Sequence, residues 1–257
     1  MEFDELGLGG LARHVWRGTG GRSTRTVLSS GFPALDSRLP GGGWPRGALI
    51  EIFVSRYGIG ELTVLIPALA ALTRPVLGEA PKWVAWIAPP FIPYPPALTQ
   101  RGVRIESLLM IHPSTGGKDR LWAIEQVVRS GTSSGVLAWL AEADDVVLRR
   151  LQLATEEREC WTVLFRPAEA LEARSPAALR IRLLQLSKGQ LSKRPSSEGA
   201  SSEGECSPGQ FSPGQFSEAQ FSEGIRVEIL KCRGGRPSTV DLTENDFTRI
   251  EPPKVAE

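Results

Sequence analysis

The run Ala48-Leu49-Ile50-Glu51-Ile52-Phe53-Val54, then Ser55-Arg56-Tyr57-Gly58-Ile59-Gly60-Glu61-Leu62, then Thr63-Val64-Leu65-Ile66-Pro67-Ala68-Leu69-Ala70-Ala71-Leu72, decides how this chain is read. The first part is rich in β-formers and stops at a glycine-bearing loop. Beyond the loop, Leu62, Leu65, Ile66, Leu69 and Leu72 fall on one helical face. Strand, glycine loop and helix form the frame on which nucleotide-hydrolysing proteins hold phosphate. That chemistry needs glycines for close backbone approach, a lysine for the β/γ-phosphates and a Ser/Thr hydroxyl for magnesium. Gly58 and Gly60 are present, but Glu61 stands at the lysine position and Leu62 at the hydroxyl position. A carboxylate repels a triphosphate, and leucine cannot bind Mg²⁺. The loop at 55–62 therefore reads as a degenerate phosphate loop.

Pro67 sharpens this reading. An interior helical proline loses a hydrogen bond and clashes with the preceding turn, at a cost of about 3 kcal/mol, so it is tolerated only in the first turn. The helix is expected to start late or to kink, with its N-terminus drawn away from the place a phosphate would take.

Working outward, buried strands are expected over 82–87, 105–111, 136–140 and 161–165, with helices over 96–101, 119–129 and 144–157. This alternation predicts an α/β fold, a mostly parallel sheet with helices on both faces. The last pair differs: 179–186 and 225–230 read as antiparallel partners, giving a C-terminal hairpin. Between them, 187–224 is rich in Ser, Gly, Gln and Glu and carries SPGQF-type repeats that place Phe211, Phe216 and Phe221 at even spacing. Such a composition buries too little apolar surface to offset chain entropy and is expected to be disordered. The expected organisation is an N-terminal docking segment and linker at 1–25, a core at 26–186, the insert, C-terminal strands at 225–242 and a loose tail at 243–257.

The 257 residues carry 30 Lys+Arg against 29 Asp+Glu, a net charge of +1, so nothing draws the chain as a whole to nucleic acid or membrane. Three scattered cysteines without CxxC spacing argue against a disulfide framework and against zinc. The acidic, apolar-poor start is not a signal peptide, and no apolar run could span a bilayer. A cytoplasmic protein, with nucleoid association left open, is the expectation.

Two further losses accompany the loop. A magnesium-holding acid belongs at the end of the 136–140 strand, which reads Trp139-Leu140-Ala141; Glu142, Asp144 and Asp145 come too late, and Asp144 suits a helix N-cap. A water-activating acid belongs after the 82–87 strand, which runs into Ala88-Pro89-Pro90. No catalytic residue, cofactor or metal is expected.

The segment order is familiar. Gly31-Phe32-Pro33-Ala34-Leu35-Asp36, Gly41-Gly42-Gly43-Trp44-Pro45-Arg46-Gly47 and Ile50-Glu51-Ile52 resemble the opening of the RecA core. Trp16-Arg17-Gly18, Gly58-Ile59-Gly60-Glu61-Leu62 and Leu65-Ile66-Pro67-Ala68-Leu69 are similar to the ImuA family, RecA-like accessory proteins of translesion synthesis related to the division inhibitor SulA. The resemblance implies a RecA-like core without ATPase chemistry, induced in the SOS response to DNA damage. It also implies, as partners, a Y-family polymerase-like protein and an error-prone C-family DNA polymerase, with RecA itself a further candidate. A SulA-like division inhibitor and a residual nucleotide-binding ATPase are the alternatives.

Candidate contact residues follow from residue type. Leu11, Val15, Trp16 and Arg17 form a patterned N-terminal stretch suited to docking on a neighbour, including another copy of the chain. Arg56 and Tyr57 at the loop tip are of types enriched in interface hot spots, and an ordinary solvated Arg is the bland alternative. Glu61 is expected to cap its own helix, with a partner's arginine as the second reading. Gly58 and Gly60 either shape an anion nest or simply permit a tight turn, the turn being favoured. Basic patches at Arg13, Arg17, Arg22 and Arg25 and at Lys231, Arg233 and Arg236 are the places where DNA could be touched. Arg166 and Arg174 lie among acids and lack the character of a strand-binding groove. His112 is read as structural.

Overall fold

The computed structural model describes residues 27–248 apart from 77, 79, 81, 114, 115 and 187–223. The docking stretch with Leu11, Val15, Trp16 and Arg17, the N-terminal arginines, the Phe repeats and the end of the tail lie outside these described residues.

The elements in chain order are β1 (Val27–Leu28), α1 (Pro33–Asp36), β2 (Trp44–Pro45), β3 (Ala48–Val54), α2 (Ile66–Leu72), β4 (Trp83–Ile87), α3 (Pro95–Gln100), β5 (Leu108–Ile111), α4 (Gly117–Ser130), β6 (Ser133–Trp139), α5 (Asp145–Arg158), β7 (Trp161–Pro167), β8 (Leu179–Leu186), β9 (Gly224–Cys232), β10 (Ser238–Thr243) and α6 (Glu244–Thr248). Eight strands form one sheet in the order β10-β9-β8-β3-β7-β6-β4-β5, while β1 and β2 pair separately. Neighbours from β8 through β5 run parallel, and β9 is antiparallel to both β8 and β10. The α/β architecture with a C-terminal antiparallel hairpin is thus present, and β10 extends it by one strand.

Both faces of the sheet are covered, which is why β3 and β6 are buried from end to end. On one face Leu35, Leu65, Leu69 and Leu98 from α1, α2 and α3 and the residues flanking them pack on Ile50, Ile52, Val163 and Ile181. On the other, Ile124 and Val128 of α4 and Leu148 and Leu151 of α5 cover Leu49, Ala85, Val136 and Leu164. Gly131, in the left-handed conformation, ends α4, and the Asp144 side chain accepts from Val147 N at 2.7 Å to start α5. Replacing Asp144 by Ala is expected to cost about 1 kcal/mol, read as a lowered urea midpoint at unchanged slope.

The tail departs from expectation at its start. The segment expected loose from 243 opens with α6, whose Phe247 ring meets Phe32 edge-on at 5.4 Å, while Asp246 accepts from Thr243 N at 2.8 Å. Leu242 before it is fully buried, so the chain is tethered into the core just before it turns polar.

Candidate functional site

The loop at 55–62 leaves the carboxyl end of β3 in the middle of the sheet, where open α/β sheets place ligands. Its helix does start late. Residues 61–65 form turns, α2 begins at Ile66, and Pro67 sits in the first turn with no side-chain cap. Gly58 (φ 84°) and Gly60 (φ 95°) occupy backbone conformations that L-residues avoid, and a Cβ on Gly60 would come within 3.1 Å of Ile225 Cδ1. Both glycines permit the tight turn of this loop.

Glu61 corrects its own prediction. It neither caps α2, which starts five residues later, nor faces a partner: it is 4% exposed. Both carboxylate oxygens accept from Gly58 N at 3.0 Å. The Gly58 amide is thus held by a carboxylate of the chain itself. Ile59 and Leu62 pack into the core beneath it.

Arg56 and Tyr57 part ways. Arg56 is exposed and donates from Nη2 to Gln185 Oε1 of β8 at 2.9 Å. Tyr57 is half-buried against the core, and burial, aided by the nearby Glu61 charge, raises its phenol above the ordinary 10.0, so it stays protonated as a donor.

Tyr57 also walls a cavity of about 320 Å³ at the strand ends, together with Pro89 and Pro90 after β4, His112 after β5, Arg120 of α4 and Trp139 closing β6. Ala88, which follows β4 directly, has φ 53°, a strained value for a residue with a Cβ. At these strand ends Ala88 and Ala141 line the cavity, and Asp144 is engaged as a cap. His112 is exposed at the rim of this cavity, which corrects its assignment as a structural residue.

Sequence reasoning missed the most heavily buried charged group. Glu51, in the middle of β3, is fully buried and holds two arginines: Arg166 Nη1 at 2.7 Å and Arg180 Nε at 3.0 Å. Arg166 also donates to Ala143 O at 3.2 Å, and Arg180 to Leu171 O at 2.9 Å while lying 4.8 Å from the Phe53 ring centre. A lone acid inside an all-buried strand was the available signal, because such a charge must be paired. Arg166 is thereby withdrawn from any nucleic-acid contact. The C-terminal basic patch is likewise partly used: Lys231 donates to Ser175 O at 2.7 Å and Arg233 pairs with Glu156 at 3.1 Å.

Neither described cysteine is a nucleophile at neutral pH. Burial pushes the thiols of Cys160 and Cys232 from 9.0 up to about 11. A raised folded value means the protonated thiol favours the fold, so this stability is complete below pH 9 and is lost as pH climbs toward 11. Iodoacetamide should modify Cys160 in the native chain far more slowly than in urea at pH 8, as mass spectrometry of the alkylated chain would read.

No family model matches the chain. Among curated proteins it is 30% identical over 125 residues to the cell division inhibitor SulA of Edwardsiella piscicida, covering 48% of this chain and 74% of that protein. It is 31% identical over 144 residues to ImuA of Caulobacter vibrioides, 54% of this chain and 57% of the relative. A third match, to RecA of Bacillus thuringiensis, is 38% identical over 106 residues but covers only 29% of that protein. No helix among the described residues is long and apolar enough to cross a membrane. With the mostly parallel sheet and these relatives together, the chain belongs to the SulA/ImuA-like family.

Proposed function

We propose that this protein is a non-catalytic, RecA-like accessory factor of the DNA-damage response that supports translesion synthesis through protein contacts. The observation that carries the reading is the Glu61 carboxylate seated on Gly58 N, with alanines in place of acids at the neighbouring strand ends. A fold that holds an anion of its own at the phosphate position gains nothing from ATP. The proposed partners are a Y-family polymerase-like protein and an error-prone C-family polymerase, with RecA and a second copy of the chain as further candidates. The proposed place of action is the cytoplasm, at the nucleoid.

The test has two parts. The full chain with Mg²⁺-ATP should show no turnover and no calorimetric binding; measured Mg²⁺-dependent hydrolysis would overturn the reading. Removing residues 1–25 should abolish association with self or with the polymerase partners while circular dichroism stays unchanged; intact association by light scattering or co-purification would sink the docking mechanism.

A second reading, a division inhibitor, is favoured by the 74% coverage of the SulA relative. Filamentation on overexpression in cells lacking the polymerase partners would select it.

A further inference from the structure

Three large apolar side chains stand open to solvent within four residues of the loop after β4: Phe91 is 65%, Ile92 81% and Tyr94 71% exposed. Such a cluster marks a contact site, unlike apolar residues scattered singly over a surface. Prolines at 89, 90, 93, 95 and 96 fix the backbone around it, so the three side chains are presented with little freedom left to lose on being covered. Ala88, where this loop leaves β4, carries the strained φ of 53°.

The fold places this cluster near the two roots of the 187–223 segment. Strands β4, β6, β7, β3 and β8 all run parallel, so the loop after β4 and the end of β8 share one side of the sheet. There Leu186 and Gly224 face each other. The loop at 55–62 joins the two places: Arg56 Nη2 donates to Gln185 Oε1 at 2.9 Å, a Cβ on Gly60 would touch Ile225, and a Cβ on Gly58 would lie 3.8 Å from the Phe91 ring. From β8 to β4 there are four strand spacings, about 19 Å. Phe216 and Phe211 stand eight and thirteen residues before Gly224, and a Gly/Ser-rich chain of those lengths has a root-mean-square reach of about 16 and 20 Å. Charge points the same way. Residues 195–223 carry five glutamates and no lysine or arginine. The exposed Arg56, two residues from Gly58, and the exposed Arg120, which lines one cavity with Pro89 and Pro90, lie beside the apolar cluster.

We propose that the Phe91, Ile92 and Tyr94 surface is the docking site for the phenylalanine repeats of the same chain, with Phe211 and Phe216 against the three exposed side chains and the segment's glutamates toward Arg56 and Arg120. Tethering holds the repeats at a local concentration of about a millimolar, so contacts with an intrinsic Kd of that order keep roughly half of the molecules docked. The five-residue repeat offers a second ring to the same surface whenever one leaves it.

The chain has two tyrosines, Tyr57 and Tyr94, and a native thiol at Cys206 precedes the repeats. The experiment labels the full-length chain with fluorotyrosine and assigns the Tyr94 fluorine line by its loss in Tyr94→Phe. A nitroxide is then attached to Cys206 at neutral pH, where the Cys160 and Cys232 thiols stay protonated, and its position is checked by mass spectrometry. The nitroxide should broaden the Tyr94 line about twofold or more beyond its effect in the Phe211→Ser, Phe216→Ser, Phe221→Ser variant, which keeps the tether and loses the rings. Phe91→Ser with Ile92→Ser should sharpen the line to the same extent, and both residues are exposed, so the core is untouched. Equal broadening in wild type and in the repeat variant would overturn the proposal, as would no broadening beyond that of the chemically reduced label. Broadening that appears only when nitroxide and fluorine sit on different chains would also overturn it, giving the repeats to a second copy instead. None of these outcomes bears on ATP turnover or on association through residues 1–25.

Discussion

Glu51→Gln is expected to lower the unfolding free energy by about 3–5 kcal/mol, because it leaves Arg166 and Arg180 buried around a neutral amide. The geometry explains the size. Arg166 is enclosed on β7, Arg180 nearly so on β8, and Glu51 on β3 is the acid between them. Arg166 Nε already lacks a partner among the described residues, so the site has little slack. The measurement is a urea titration with the slope compared between variants, since a shifted midpoint at constant slope reports stability alone. A companion variant guards against over-reading. Glu51→Leu with Arg166→Met and Arg180→Met removes all three charges at similar volume, and such replacements are commonly near neutral. A Glu51→Gln loss below about 1 kcal/mol, no more than a surface ion pair is worth, would show that water reaches the group and that the triad does not hold the sheet together.

Glu61→Ala is expected to cost about 1.5–3 kcal/mol, the range for a hydrogen bond to a charged group, and the loss should be local. Gly58 N–H should lose protection from hydrogen exchange, and the effect should fade toward β3, whose ladder to β7 and β8 is untouched. Equal Gly58 protection in wild type and variant would mean that the carboxylate does not close the loop. Glu61→Lys extends the test to chemistry. It introduces the lysine that phosphate loops require, yet Leu62 offers no hydroxyl for magnesium and Ala88 and Ala141 offer no acid. Turnover should therefore stay at background. Hydrolysis gained from that one change would mean that the site had lost a single group.

The contrast between these two acids shows what the sequence made legible. Pro67 is a covalent constraint, so the late start of α2 could be read directly. The Asp144 cap was equally local, one side chain meeting an amide three residues away. Alternation of apolar runs gave the parallel sheet, because burial on both faces leaves that mark in any such strand. Glu61 was misjudged because its partner lies behind it in the chain, in a turn whose path two glycines set. Glu51 was missed for a different reason: its arginines are 115 and 129 residues away, and only the sheet order β7-β3-β8 brings them together. The cavity, built from five separate chain segments, left no linear signal.

The β8–β9 pair carries one more consequence. Leu186 and Gly224 lie directly across from each other as the last and first residues of antiparallel partners, so the sheet closes whatever the chain does between them. Adding residues to a connection whose ends are already side by side costs only about 0.6 kcal/mol per doubling of its length. The hairpin mouth thus works as an attachment port. A reporter domain or affinity tag spliced between these two residues should leave the loop, the triad and the cavity undisturbed. Gly224 itself should stay fixed as the port's anchor, because a Cβ there would clash with the Leu242 carbonyl oxygen.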